Sequence, residues 1–325
     1  MPILYGIILF YGFFSCSSIE LQDYYDENLN QHSKYIVVIG DIQSYTISDS
    51  TMEYYKSTIN WLRNQIDSGI KIKSVLQLGD ITEINSPFEW NLFKHYSINL
   101  YSVIPFYVCT GNHDYDWDEQ SKIKNRSSSH INEYAHFYLS DSNIVDYYDT
   151  NSLENYISKL PIDDNILLIA LEFGPREEVV KWASDYVVSH PNNSFILMTH
   201  EWLTRRGIRI SSGSYAESHF SGYSSYSTPE EIWRSLVKPN NNIVCVICGH
   251  NGFSCSLFSK NDAGRDVPQI LFNLQYQDNG GNGLIQLWEF PQGSDSLNIC
   301  VYDTINQNWY MPDSTKLTFK FKNYL

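Results

Sequence analysis

Basic residues are scarce in this chain. Its 325 residues include 22 Lys and Arg against 37 Asp and Glu, a net charge of −15. Duplex nucleic acid is held through its phosphates by a basic face, so such binding is not expected. Cysteine is also sparse. Cys16 lies near the start and leaves Cys109, Cys245, Cys248, Cys255 and Cys300, an odd number that does not make a disulfide framework. A single bridge through Cys248 or Cys255 stays open. Cys245 and Cys248 have CxxC spacing, but they sit in the apolar run 243–248, which reads as a strand. Residues three apart on a strand face opposite sides, so the pair cannot pinch one zinc and reads as two small core residues. Charged side chains are absent from the first 19 residues. The apolar run there, Ile3 to Phe14, is shorter than the ~20 residues of a membrane span. With Ser15-Cys16-Ser17-Ser18 behind it, this segment reads as a signal peptide over residues 1–18. The mature chain is then secreted and has no transmembrane domain; the alternative is an uncleaved N-terminal anchor. Internal repeats and long low-complexity blocks are missing too.

Apolar content, 42%, is enough for a sizeable core. Residues 19–34 are polar and read as a linker. Residues 35–325 read as one domain in which strands alternate with helices. Strands are expected over 35–39, 72–78, 103–109, 144–148, 166–171, 194–198 and 243–248, with further strands toward the C-terminus. Helices are expected over 52–66, 87–101, 130–139, 176–188 and 232–237. Residues 204–228, rich in Ser, Tyr and Gly, form a long loop. Its Tyr-rich part, 215–226, is able to stack on a base or sugar or simply to cover the surface.

Several strands end in the same way. Gly40-Asp41-Ile42-Gln43 follows the first, Gly79-Asp80 the second and Gly111-Asn112-His113-Asp114 the third. Thr199-His200 and Gly249-His250 follow two later ones. In open α/β sheets ligands bind at the carboxyl ends of strands, so Asp41, Asp80, Asn112, His200 and His250 should meet at one edge. Carboxylates gathered without a basic neighbour repel, and a divalent cation removes that cost. Asn112 offers an amide oxygen, His113 an imidazole, and Asp114 a carboxylate able to fix the tautomer of that imidazole. His32, His95, His130, His136 and His190 read as linker, surface or capping residues, and so, on balance, does His219 in the long loop.

The ordered motifs Gly-Asp-x-Gln, Gly-Asp-x-x-Glu, Gly-Asn-His-Asp, a strand-end His and Gly-His-x-Gly resemble the calcineurin-like metallophosphoesterase superfamily over about residues 35–290. The resemblance implies a four-layer α/β/β/α sandwich of two mixed sheets flanked by helices. It implies a metal-dependent hydrolase of a phosphomonoester or phosphodiester, acting by attack of a metal-bound hydroxide with one or two divalent ions (Mn, Mg, Fe, Zn or Ca). Asp80 then bridges two metals, Asn112, His200 and His250 complete one site, and Asp41 belongs to the other. His113, oriented by Asp114, is the general acid. Two departures stand out: Gln43 and Gly252 occupy positions where the family usually has His. Both belong to the metal position of Asp41, which keeps Asp41, Asp80 and the amide oxygen of Gln43. Oxygen donors alone suit hard ions such as Mg²⁺, Mn²⁺ or Ca²⁺. The alternative function is a degenerate relative that binds a phosphorylated or acidic ligand without turnover. The stretch Asn273 to Asp278 resembles a pocket-lining segment of Gln-bearing relatives, or else is a plain hairpin turn. Sequons at Asn125 and Asn192 fall in expected loops and allow glycosylation.

Overall fold

The computed structural model describes residues 29–118, 123–126, 130–134, 143–150, 152–223, 225–310 and 316–320. The expected signal peptide, most of the linker and residues 135–139 of the helix expected at 130–139 lie outside them. The chain opens with β1 (Lys34–Ile39), α1 (Gln43–Thr46), α2 (Met52–Asp67), β2 (Lys71–Gln77), α3 (Pro87–Tyr101) and β3 (Phe106–Val108). A small hairpin of β4 (Asp116–Asp118) and β5 (Ile123–Asn125) and the short α4 (Ile131–Tyr134) follow. Next come β6 (Ile144–Tyr147), β7 (Tyr156–Lys159), β8 (Ile166–Ala170), α5 (Glu177–Ser189) and β9 (Ser194–Met198). After the long loop, α6 (Pro229–Ile232) runs into a π-turn, Trp233–Val237. The chain then forms β10 (Ile243–Cys248), β11 (Phe253–Lys260), β12 (Asp266–Asn273), the one-turn α7 (Asp278–Gly281), β13 (Leu284–Phe290), β14 (Ser296–Asp303), β15 (Asn308–Tyr310) and β16 (Leu317–Lys320).

Two mixed seven-stranded sheets result. One has the order β15-β14-β13-β1-β2-β3, with β16 also paired to β14; the other runs β11-β12-β10-β9-β8-β7-β6. In the first, β1, β2 and β3 are parallel, and β13 joins β1 antiparallel. In the second, β8, β9, β10 and β12 are parallel. The period-two alternation of strand side chains divides the interior. On β9, Ile196 and Met198 join the core that holds Ile36, Val38 and Ile270, while Phe195 and Leu197 pack with Val179, Ala183, Trp233 and Leu236 beneath α5. Cys245 and Cys248 obey the same rule, one in each core, and the five described cysteines are free. The amphipathic α2 buries Tyr55, Ile59 and Leu62. α3 starts at a capping box in which Ser86 accepts from the Glu89 amide at 3.3 Å, with Pro87 behind it. The architecture is the α/β/β/α sandwich.

β3 is shorter than the expected 103–109. The Val103 and Ile104 amides still bond back to Leu100 at the end of α3, and Pro105 has no N–H to donate to a ladder. β7 and β15 had no clear periodic signal. β7 nevertheless ties the two sheets together: the Tyr156 hydroxyl donates to the Val108 carbonyl at 2.8 Å and faces the Val108 amide at 3.1 Å. Asn125 and Asn192 are both exposed. No helix among the described residues is long and apolar enough to cross a membrane.

The Phe106 ring packs on Phe93 of α3 with ring centres 5.9 Å apart and is fully buried. Phe106→Ala is expected to lower unfolding stability by about 3–5 kcal/mol, read from the midpoint of urea denaturation. A loss below about 1 kcal/mol would mean that this layer is not close-packed.

Candidate metal centre

The strand-end loops after β1, β2, β3, β9 and β10 meet at one edge. The Asp80 and His200 side chains are buried there, and His250 is nearly so. His200 Nε2 lies 3.1 Å from Asp80 Oδ2 and 3.1 Å from His250 Nδ1, and His250 Nδ1 lies 4.0 Å from Asp80 Oδ2. Ligands of a tetrahedral ion with ~2.1 Å bonds stand about 3.4 Å apart. One carboxylate and two imidazoles at these separations fit a divalent cation. The ring orientation of His200 supports this. Its Nδ1 is 2.6 Å from the Leu78 carbonyl, which only accepts, so Nδ1 keeps its proton and Nε2 is the nitrogen turned toward the cluster, where it would bind a cation once it has lost its own proton.

Close approach of the loops depends on glycine. A Cβ on Gly111 would fall 2.1 Å from Asp80 Oδ1 and 2.2 Å from the Asp80 amide; one on Gly79, whose φ is +90°, would meet Gly111 N at 2.7 Å. Asp80 (φ +46°) and His250 (φ +65°) both hold left-handed backbone that side-chain-bearing residues seldom adopt. Local strain of this kind persists where surrounding bonds over-determine it.

Burial raises the Asp80 carboxyl, but the charge of His200 outweighs it and holds Asp80 below the usual carboxylate range. Burial lowers His200, and the Asp80 and Asp41 carboxylates override that, pushing it up to about 10. His250, buried beside His200, is pushed down to about 4 despite Glu201. Thus one imidazole of the pair is charged and the other neutral.

Asp41 reaches the same edge in a different way. Its Oδ1 accepts the His250 amide at 3.1 Å, and its Oδ2 accepts the side-chain amides of Asn273 (2.5 Å) and Gln275 (3.0 Å). Gln43 is buried, and its Oε1 receives no hydrogen bond. At Gly252, a Cβ would fall 1.8 Å from Cδ2 of Tyr276, so the Tyr276 ring fills the space of any side chain there. The 273–278 stretch therefore lines the site through Asn273, Gln275 and Tyr276, which favours the pocket reading over the plain turn. Asn112 and His113 open a 3₁₀ turn, Asn112–Asp114, beside Asp80, whose Oδ1 accepts the His113 amide at 2.9 Å.

One expectation is corrected. Asp114 does not orient the His113 ring. Its Oδ1 accepts from the amides of Ile81 and Thr82 and from the Thr82 hydroxyl, each at 3.0 Å, and its Oδ2 accepts the Gly111 amide at 2.9 Å. The ring is set by the Glu83 carbonyl, 2.7 Å from His113 Nδ1, with the Glu83 carboxylate 4.0 Å away. Neighbours in a 3₁₀ turn point about 120° apart, so adjacency along the chain does not bring their side chains together.

A second correction concerns His219. It is not a bystander: its Nδ1 lies 2.5 Å from Oε1 of the buried Glu201, which is 3.5 Å from His250 Nε2. Glu201, His219 and His250 form a second close group of donor atoms, and Asn251 donates to Glu201 Oε1 at 3.0 Å. Phe173, Phe220 and Tyr223 wall the imidazoles, with Phe173 ring centres 5.7 Å from His200 and 5.9 Å from His250. His95, His130 and His190 lie at the surface or at a helix end, as expected. His136 lies outside the described residues.

The profile of the calcineurin-like phosphoesterase family matches residues 34–251. The chain is 25% identical over 291 residues to the Bacillus subtilis protein YvnB, covering 86% of this chain and 20% of YvnB. It thus spans about a fifth of that relative's length. Among solved structures, purple acid phosphatase PPD1 from yellow lupin (Lupinus luteus) seeds is similar in fold, with a TM-score of 0.57 and 12% identity over 92% of this chain and 56% of that one.

Two outcomes follow from this geometry. An imidazole must be neutral to bind a cation, so uptake at neutral pH should expel the His200 proton, and Mn²⁺ affinity should rise about tenfold per pH unit between about pH 6 and pH 8. Calorimetric titration in buffers of different ionisation enthalpy reads both; an affinity independent of pH would remove His200 from the ligand set. Without metal the sign reverses. The raised His200 pKa contributes stability that is full below its ordinary 6.5 and fades as pH rises through about 10. Asp114→Ala leaves three buried amides without acceptors and should cost at least about 3 kcal/mol in urea denaturation of the metal-free protein.

Proposed function

The chain belongs to the calcineurin-like phosphoesterase family, and from that premise we propose that it is a secreted, metal-dependent hydrolase of a phosphomonoester or phosphodiester. The observation that carries this reading is the gathering of Asp80, His200 and His250 within ligand spacing, with the His113 amide bonded to the same Asp80. Secretion rests on the uncharged apolar run at residues 3–14.

In this reading Asp80, Asn112, His200 and His250 hold one cation, of the Mn²⁺, Fe²⁺ or Zn²⁺ kind, by one carboxylate, one amide and two imidazoles. The Asp41–Gln43 side offers oxygens only, and Asp41 already accepts three N–H groups. It takes a hard ion such as Mg²⁺, Mn²⁺ or Ca²⁺, and takes it weakly. A bound cation supplies Lewis acidity toward phosphoryl oxygens and acidifies a water to a pKa of about 7. The chain does the rest. The Glu83 carbonyl fixes the Nδ1 proton of His113, leaving Nε2 to hold the proton destined for the leaving oxygen. Asp114 keeps the loop that carries His113 locked to residues 81–82. Phe173 and its aromatic neighbours keep water from the imidazoles.

A second reading, binding of a phosphorylated or acidic ligand without turnover, is favoured by one observation: Tyr276 occupies the space at Gly252. Hydrolysis of chromogenic phosphate mono- and diesters with added Mn²⁺, Mg²⁺ or Zn²⁺ separates the two. Turnover is expected with one tightly held metal per chain, and His113→Ala is expected to lower kcat by about 10²–10⁴ with metal content unchanged. Equal turnover in both proteins removes the acid role. No turnover, together with saturable phosphate binding, selects the second reading.

A further inference from the structure

The geometry points to Glu201 as the residue that sets the ring of His250 for the cation, with His219 holding Glu201 in place. This rests on the metal position proposed above and goes beyond it.

His250 turns one ring nitrogen to each of two donor groups. Nδ1 faces His200 and Asp80, at 3.1 and 4.0 Å, and Nε2 faces Glu201 Oε1, at 3.5 Å. Two arrangements have this form: a second cation among Glu201, His219 and His250, or a carboxylate that orients a metal-binding imidazole from behind. Spacing favours the second. Two ligands of one tetrahedral ion stand about 3.4 Å apart, whereas His219 Nδ1 is 2.5 Å from Glu201 Oε1, a hydrogen-bond distance. Glu201 Oε1 also takes the Asn251 amide, which bonds onward to the Leu203 carbonyl at 2.9 Å. The carboxylate is thus held from two sides, and its side chain is fully buried.

A buried carboxylate is stable where positive charge or N–H groups surround it. The groups facing Glu201 are the His219 and His250 imidazoles and the Asn251 amide, with no Lys or Arg paired to it among the described residues. Its Oε2 is buried and receives no hydrogen bond, so the carboxylate is not saturated, and the His250 Nε2 atom stands 3.5 Å from its Oε1. With a proton on Nε2, Nδ1 is the nitrogen left with a lone pair toward Asp80 and His200. Carboxylates placed behind metal-binding imidazoles fix tautomer and ring direction, and losing one costs about 10–100-fold in metal affinity. The left-handed φ of His250 makes such support more necessary, because its backbone alone does not favour this placement.

The test is metal binding to the whole chain, without substrate, so that it stands apart from turnover. Zn²⁺ and Co²⁺ are titrated into metal-stripped protein, and tight stoichiometry, affinity and the Co²⁺ visible spectrum are read. Wild type is expected to hold one tight ion. Glu201→Ala should keep that stoichiometry, weaken affinity by about 10–100-fold and shift the Co²⁺ bands. Glu201→Gln, which keeps an acceptor oxygen, should fall between, and His219→Asn should weaken affinity less than Glu201→Ala. If Glu201→Ala does not fold, the Gln and Asn variants carry the comparison. Unchanged affinity and spectrum overturn the inference. So does a fall in tight stoichiometry from two to one, which would make Glu201 a ligand of its own cation, and so does a wild type that binds no metal. Absence of phosphatase activity alongside the expected affinity series sinks only the catalytic reading.

Discussion

The site depends on one buried negative charge. Asp80 is nearly inaccessible to solvent, with no Lys or Arg paired to it among the described residues. A carboxylate in that position is tolerable only if positive charge or N–H groups surround it. Those groups come from far along the chain: His200 from β9, His250 from β10 and the His113 amide from the loop after β3. Without metal, the His200 proton answers the charge. With metal, a cation takes over that role, and the proton must leave. Folding and cation binding therefore draw on the same electrostatic demand.

Two loops, one of them carrying left-handed backbone at Gly79 and Asp80, are held together by hydrogen bonds. Asp114 accepts amides from both the 79–82 loop and the 111–114 loop, so the left-handed turn at Asp80 cannot relax independently of the Gly111 turn. Asp41 does the same on the far side, linking the His250 amide to Asn273, at the end of β12, and Gln275, just after it. Each carboxylate serves as an acceptor around which backbone is arranged, and a neutral isostere would meet some of those donors with a donor of its own.

The two sides of the site are unlike. On one side imidazole nitrogens and a carboxylate stand at ligand spacing. On the other, Gln43 offers an amide oxygen, Asp41 is engaged by N–H groups, and the Tyr276 ring, three-quarters exposed, lies over Gly252. Partial burial of the phenol and the nearby Asp41 and Asp80 carboxylates raise the pKa of Tyr276. The Tyr276 ring forms an aromatic surface at the mouth of the site.

Much of this was legible along the chain. An apolar run followed by Gly and then Asp, Asn or His marks a strand end with a polar group at its tip, and Asp80, Asn112, His200 and His250 follow from that pattern. So does the placing of Cys245 and Cys248 on opposite faces. β7 and β15 were not legible, because short strands with mixed side chains acquire their identity from the neighbours they pair with. The Asp114 contacts, the Glu201–His219 pair and the seating of Tyr276 on Gly252 were not legible either. Each depends on which way a side chain leaves a turn and on which distant loop it meets. Sequence by itself determined which chemical groups arrive at the sheet edge, since hydrophobic periodicity sets where strands end. Only the tertiary structure decided which of them face one another, because contacts between residues dozens to hundreds of positions apart are set by packing and not by period.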